Sequence, residues 1–228
     1  MKTIVIGGGG RLGQKIVKRL LDGGHQVTAV VRSGNSPDFR ARVLKKDLFL
    51  LDKKDLEEAD VVISAYGSGF QADPAENRRA ISHLARLTRG SGIHLIIVGG
   101  AGSLFADKTH RVYIYETPSF PDFLREISRN LKEGLDELYR SEDVLWTMCC
   151  PSEIFDYEGS YTGQYLIGES DEPLINKDGQ SYISYEDFAK VVVDIAEKGL
   201  YKKKRNPAVR HNQFCSHCHR NFPGRYFL

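Results

Sequence analysis

Seven residues near the start of the chain, Gly7-Gly8-Gly9-Gly10-Arg11-Leu12-Gly13, limit the folds open to it more than any other stretch. The run before them, Thr3-Ile4-Val5-Ile6, is apolar and β-branched, as a buried strand requires. After them Leu12, Ile16, Val17, Leu20 and Leu21 recur at helical spacing until Gly23-Gly24. Glycines at a strand-to-helix turn leave backbone N–H groups open to a pyrophosphate, and the helix N-terminus adds partial positive charge. The loop reads as G-x-x-G-x-x-G through Gly7, Gly10 and Gly13, and equally as G-x-G-x-x-G through Gly8, Gly10 and Gly13. Its place between a strand and a helix, more than the spacing itself, makes it a phosphate-loop candidate.

The rest of the chain repeats the alternation. Val27–Val31, Arg42–Leu44, Val61–Ala65, Ile93–Val98 and Leu145–Cys149 read as strands. Asp73-Pro74-Ala75-Glu76 has the cap, first-turn proline and acid of a helix start, and that helix should run to about Arg89. Leu124, Ile127, Leu131, Leu135 and Leu138 mark a long amphipathic helix. Ser184 with Asp187 caps a last one, bearing Phe188, Val191, Val192 and Ile195 and ending at Gly199. The reading is α/β: a Rossmann-like doubly wound parallel sheet, one domain over residues 1–200, with long substrate-side loops near 100–120 and 152–180. Residues 201–228 are set apart as an atypical C-terminal tail.

Composition removes several functions. Lys and Arg number 32 against 30 Asp and Glu, a net charge of +2, so no bulk field draws in nucleic acid or an anionic membrane. Apolar runs such as Leu95–Val98 are far too short to span a bilayer. Four cysteines in 228 residues do not make a disulfide scaffold, and the N-terminus lacks a signal-peptide layout, so a reduced cytoplasmic chain is expected. The expected partner is a small-molecule acceptor, and the expected state monomer or homodimer.

The candidate site follows from the strand ends. Gly7, Gly9, Gly10, Arg11, Leu12 and Gly13 form the loop against the cofactor. The second strand ends in Val31-Arg32-Ser33, where an acid would bind the 2′-hydroxyl of NAD; Arg32 suits a 2′-phosphate instead, and Ser33 adds a hydrogen bond. NADP(H) is therefore preferred, with NAD(H) second. Asp47 and Leu48 are placed to cover the adenine edge, Asp47 having a helix cap as its plainer role. Ser64, Ala65, Tyr66 and Gly67 end the fourth strand at the crevice, where Tyr66 could equally serve packing. Tyr113, Tyr115, Phe120 and Phe123 could line a planar pocket or form a satellite core beneath a loop. Tyr157, Tyr161 and Tyr165 share their loop with Gly159 and Gly163. Cys149 and Cys150 read as inert buried thiols, and His25, His83 and His94 have no metal spacing. In the tail, Cys215-x-x-Cys218 with His211 and His219 has zinc-ligand residue types, but one C-x-x-C without a second pair is read as no metal site.

Several blocks together carry a resemblance: Ile4–Gly13, Val30-Val31-Arg32-Ser33, Val61–Gly67, Ile97-Val98-Gly99-Gly100-Ala101-Gly102-Ser103-Leu104, Trp146-Thr147 with Pro151-Ser152, and Ile183-Ser184-Tyr185-Glu186-Asp187-Phe188-Ala189. The chain resembles the atypical short-chain dehydrogenase/reductase-like NAD(P)-binding proteins, the NADH-flavin reductase-like group, over about residues 1–200. The resemblance implies NAD(P)H binding and reduction of flavins or similar conjugated molecules, with Gly99 at the cofactor and Gly100, Ser103, Pro151 and Ser152 toward the substrate, where Tyr113 and Tyr115 of the aromatic group are also placed. The Tyr-x-x-x-Lys pair of catalytic short-chain enzymes is missing: no tyrosine has Lys four residues on, and only Tyr201 has even an Arg there. The expectation is hydride transfer to a flavin held as substrate rather than as a tightly bound cofactor, without a Tyr–Lys pair and with no catalytic residue assigned. The alternative is a non-catalytic regulator that senses NADP(H) and binds a partner protein.

Overall fold

Apolar runs that do not alternate need cover on both faces, and helices supply it. The computed structural model describes residues 1–33, 38–69 and 72–211. In chain order these form β1 (Lys2–Ile6), α1 (Arg11–Asp22), β2 (Gln26–Val31), β3 (Arg42–Lys45), α2 (Lys53–Leu56), β4 (Val61–Ser64), α3 (Ala75–Thr88), β5 (His94–Val98), α4 (Asp122–Tyr139) and β6 (Leu145–Cys150). Then come β7 (Ile154–Asp156), β8 (Tyr165–Ile167), β9 (Tyr182–Ser184), α5 (Tyr185–Lys198) and β10 (Lys204–Arg210). The main sheet runs β3-β2-β1-β4-β5-β6-β10-β8. Its pairings are parallel except that β8 lies antiparallel to β10. A Rossmann-like doubly wound fold is thus present as expected.

The two faces carry separate cores. Ile4 and Ile6 of β1 face α3 and α4, with Leu84, Leu131, Leu135 and Trp146. Val5, between them, faces α1 and α5, with Ile16, Leu20, Val192 and Ile195. The expected caps form: Ser184 Oγ accepts from the Asp187 N–H at 3.0 Å, and Gly199 closes α5 at φ +59°. Asp73 accepts from the Ala75 N–H at 3.0 Å ahead of α3. Among the described residues no helix is long and apolar enough to cross a membrane.

One boundary is corrected. The sheet domain does not stop at 200, because Lys204–Arg210 is a strand between β6 and β8. Its sequence, Lys-Arg-Asn-Pro-Ala-Val-Arg, has no strand period, since its polar groups are satisfied by distant partners. Arg205, buried, pairs with Asp171 at 2.7 Å, and Asn206 donates to the Gly168 carbonyl at 2.6 Å. Arg210 pairs at 3.0 Å with Asp187, which is itself wholly buried. Residues 212–228, with Cys215, Cys218 and His219, lie outside the described residues; His211 extends the domain by an N–H bond to the Gln164 carbonyl at 3.0 Å.

His94 makes the core sensitive to acid. Thr147 Oγ1 donates to the Tyr201 carbonyl at 2.9 Å, so it accepts from His94 Nε2 at 2.8 Å. Nδ1 is then the bare nitrogen, buried and without a partner among the described residues. Burial, with a smaller repulsion from Lys202, lowers the imidazole pKa to about 4. Between the ordinary value of about 6.5 and 4, the unfolded chain takes up a proton that the folded one refuses, so stability is lost as pH falls. A loss of roughly 3 kcal/mol is expected across that window. Thermal melts at pH 7 and pH 4.5 should show a smaller drop for His94→Asn than for the parent.

Candidate functional site

The glycine loop is built around one oxygen. Gly7 has φ +74°, and a Cβ there would lie 2.9 Å from the Ala65 carbonyl oxygen. The Gly10 N–H donates to the Gly7 carbonyl at 2.9 Å. At Gly13, inside α1, a Cβ would stand 2.1 Å from that same Gly7 oxygen. Gly8 instead ties the loop to β2, donating to the Val30 carbonyl at 3.1 Å. The working frame is therefore Gly7, Gly10 and Gly13. Beyond it α1 begins with no side-chain cap on its N–H groups and no acid in its first turn. That leaves a helix N-terminus suited to an anion, at the point where the strand order reverses between β1 and β4.

Two cavities flank this loop. One, of about 290 Å³, is bordered by Gly7, Gly9, Gly10, Arg32, Ser33, Leu48, Ala65, Tyr66 and Gly67. Arg32 is exposed there, with no ion-pair partner among the described residues. Lys46, which the sequence did not single out, borders it too, but its amine lies 2.6 Å from the Asp55 carboxylate. Asp47 is not on the wall; it caps the short turn Leu48–Leu50, accepting from the Phe49 N–H at 2.9 Å. Ser64 is buried within β4.

The second cavity, of about 240 Å³, runs from Gly10, Arg11 and Leu12 past Tyr66 and Gly67 to Gly99, Phe155 and Tyr185. Tyr66 donates to the Glu76 carboxylate at 2.6 Å, and burial together with that carboxylate raises its pKa. Asn77 exchanges hydrogen bonds with Ser68, at 3.2 Å and 2.8 Å, which holds the loop after β4. A Cβ at Gly99 would meet Cys150 Sγ and Met148 Cγ at 2.9 Å each, so a larger residue there would have to displace those side chains. Phe155 and Tyr185 stack with centroids 3.9 Å apart. Neither is visible in sequence as a site residue: Tyr185 reads as the first turn of a capped helix, and Phe155 lies in a long excursion.

Phe155 also borders a third cavity, of about 230 Å³, walled by Ile114, Phe120, Leu124, Ser128, Pro151, Ser152 and Glu153. Pro151 and Ser152 are thus brought to it, although the Ser152 hydroxyl is engaged by the Ala208 carbonyl at 2.8 Å. Other expected substrate residues are elsewhere. Ser103 is fully buried and donates to the Gly100 carbonyl at 2.8 Å; Ala101 and Gly102, not Gly100, reach the cavity. Tyr113 and Tyr115 stack on each other at 5.5 Å, and Tyr113 on Phe105 at 4.4 Å, as a satellite core. Ile114 between them faces the cavity in their stead, while Phe123 is exposed. Tyr157 lies beneath Arg11 at 5.0 Å and Tyr161 beneath Arg19 at 4.0 Å, pinning their loop to α1. Tyr165 donates to Asp194. Burial pushes the Cys150 thiol up to about 11, which leaves it an unreactive thiol at neutral pH. No group of three metal-ligating side chains occurs among the described residues.

Comparison with known proteins agrees with this geometry. The sequence model of the NAD(P)H-binding family matches residues 7–198. The Bacillus subtilis protein YwnB is 35% identical over 208 residues, covering 90% of this chain and 96% of YwnB. A crystal structure from Streptococcus pneumoniae, of a proposed NADH-flavin reductase, matches with a TM-score of 0.86 at 35% identity over 92% of this chain and 99% of that one. A Lactobacillus casei protein matches with a TM-score of 0.84 at 26% identity, over 93% of this chain and all of its own.

Gly13→Ala tests the loop. Its methyl cannot be accommodated without moving the Gly7 carbonyl, and with it the N–H groups of the turn. NADPH affinity, read by fluorescence titration, should fall by about tenfold or more, equivalent to ~1.4 kcal/mol, with the far-ultraviolet circular dichroism retained.

Proposed function

The chain belongs to the NAD(P)H-binding family and is an NAD(P)H-dependent oxidoreductase; from that premise we propose that NADPH is its preferred donor and a flavin, or a similarly conjugated small molecule, its acceptor. The observation that carries the donor preference is Arg32, an exposed guanidinium at the carboxyl end of β2 with no ion-pair partner among the described residues. A carboxylate at that position would repel a 2′-phosphate; a guanidinium pairs with it. The loop supports a dinucleotide independently, because its glycine cradle and uncapped α1 N-terminus fit a pyrophosphate. Gly7, Gly9, Gly10, Arg11 and Leu12 would hold the phosphates, Leu48, Tyr66 and Gly67 the adenosine side, and Gly99, Phe155 and Tyr185 the nicotinamide side.

When bound, the cofactor supplies a hydride, two electrons and a proton, to the acceptor. The chain's part is to position and to exclude water. Phe155 borders both the second and the third cavity, so rings in the two would meet beside it. Ile114, Phe120 and Leu124 give the third cavity the apolar walls that suit a planar ring. The second proton of the reduction comes from solvent, in keeping with the absence of a Tyr–Lys pair. The flavin binds as substrate and leaves after turnover.

Steady-state oxidation of NADPH on adding riboflavin, FMN or a quinone tests the reaction; NADPH binding without turnover on any acceptor would instead identify a sensing regulator. For the donor, Arg32→Ala should weaken NADPH by roughly ten- to a hundredfold, about 1.5–3 kcal/mol, and leave NADH nearly unchanged. Equal losses for the two would sink the preference.

A further inference from the structure

The third cavity is charged opposite to the loop end of the crevice. Glu153, exposed at its mouth, is the one ionisable side chain on its wall among the described residues. Three basic side chains near it are already committed. Arg125 donates to the Phe120 carbonyl at 3.0 Å and the Asp122 carboxylate at 2.9 Å. Arg205 is buried against Asp171 at 2.7 Å, and His110 pairs with Glu172. Nothing on this wall can neutralise a bound phosphate, while the carboxylate repels one.

The same cavity holds one unspent polar group deep within it. Ser128 on α4 is 2% exposed, and its hydroxyl makes no hydrogen bond to any described residue. It lies against Gly102, where a Cβ would come within 2.3 Å of Ser128 Oγ, so the glycine keeps the hydroxyl uncovered. The residue is buried but its hydroxyl faces the cavity, so a ligand carbonyl or ring nitrogen that enters would take its hydrogen bond, and a ligand without an acceptor there would leave it unpaired. Thr117, by contrast, already donates to the Ile114 carbonyl at 2.8 Å.

Resting on the reading that this cavity receives the acceptor, we propose that it selects uncharged, carbonyl-bearing planar acceptors, recognised by the Ser128 hydroxyl, and discriminates through Glu153 against anionic ones. Riboflavin and a simple naphthoquinone fit this class; a flavin carrying a phosphate does not. The assignment divides labour along the crevice: anions are bound at the glycine loop and Arg32, and turned away at the acceptor end.

The test compares riboflavin with FMN in two ways, by kcat/KM with saturating NADPH and by quenching of flavin fluorescence on titration with the NADP⁺-loaded protein. Riboflavin should be favoured by about tenfold at low salt, and the ratio should shrink as salt screens the carboxylate. Glu153→Gln should bring the ratio toward one. Ser128→Ala should raise the riboflavin KM about five- to tenfold, with a smaller change in kcat. Equal use of riboflavin and FMN, unmoved by Glu153→Gln or by salt, overturns this inference and leaves the reductase reading intact. Selective quenching by riboflavin without turnover of any acceptor does the reverse. Neither quenching nor turnover overturns both.

Discussion

The carbonyl oxygen of Gly7 is where strand, loop and helix meet. It accepts the Gly10 N–H, and α1 passes it at Gly13 so closely that only a hydrogen fits between them. Because the helix is seated on that oxygen, its uncapped first turn opens into the crevice at the ends of β1 and β4. A larger residue at Gly13 would lift the helix and carry its N–H groups away from where an anion sits, while one at Gly7 would strain the turn and press on the Ala65 carbonyl. Gly8, between them, fastens the loop to β2 and so links the turn to the strand that presents Arg32.

The far wall of the site depends on a different kind of interaction. Past β6 the short strands bury a few apolar side chains such as Phe155, Ile183 and Val209, and charge pairs and single hydrogen bonds add to that hold on the domain. Arg210 to Asp187, Ser152 to the Ala208 carbonyl, and Arg205 to Asp171 and the Ser103 carbonyl are the ties that position β10 and the turn after β6. Asp187 also accepts from the Thr162 and Gly163 N–H groups, at 2.8 Å and 2.9 Å, so one buried carboxylate gathers α5, β10 and the tyrosine loop. Buried ion pairs of this sort give little net stability but penalise any other arrangement heavily. They suit a wall that must be shaped rather than merely covered.

Polarity varies along the crevice in an order that suits the proposed hydride transfer. Helix N-terminus and guanidinium lie at the loop end, aromatic and aliphatic walls in the middle, and the Glu153 carboxylate at the third cavity. Tyr66, one of the residues common to the first two cavities, has its hydroxyl held by Glu76 and so presents a fixed ring rather than a titrating group.

What could be read from the sequence was local. The strand–glycine–helix unit, the Ser184–Asp187 cap and the α3 and α4 stripes follow from period, cap chemistry and steric freedom, each set by residues a few positions apart. Arg32, Tyr66, Gly67 and Gly99 line the crevice for the same reason: a strand's end in a doubly wound sheet is the crevice, whatever lies elsewhere. Long loops have no period, so nothing in the order Tyr113-Ile114-Tyr115 says that the isoleucine faces the cavity and the tyrosines turn away. Ser103 and Asp47 were assigned by neighbourhood, and their side chains went to the nearest backbone partner instead. Phe155 on Tyr185, Ser128 beneath Gly102 and the strand after residue 203 each join segments tens of residues apart. Only the packed sheet and its helices bring such segments into contact, so the glycine-loop end of the crevice was written in the chain and the third cavity was decided by the fold.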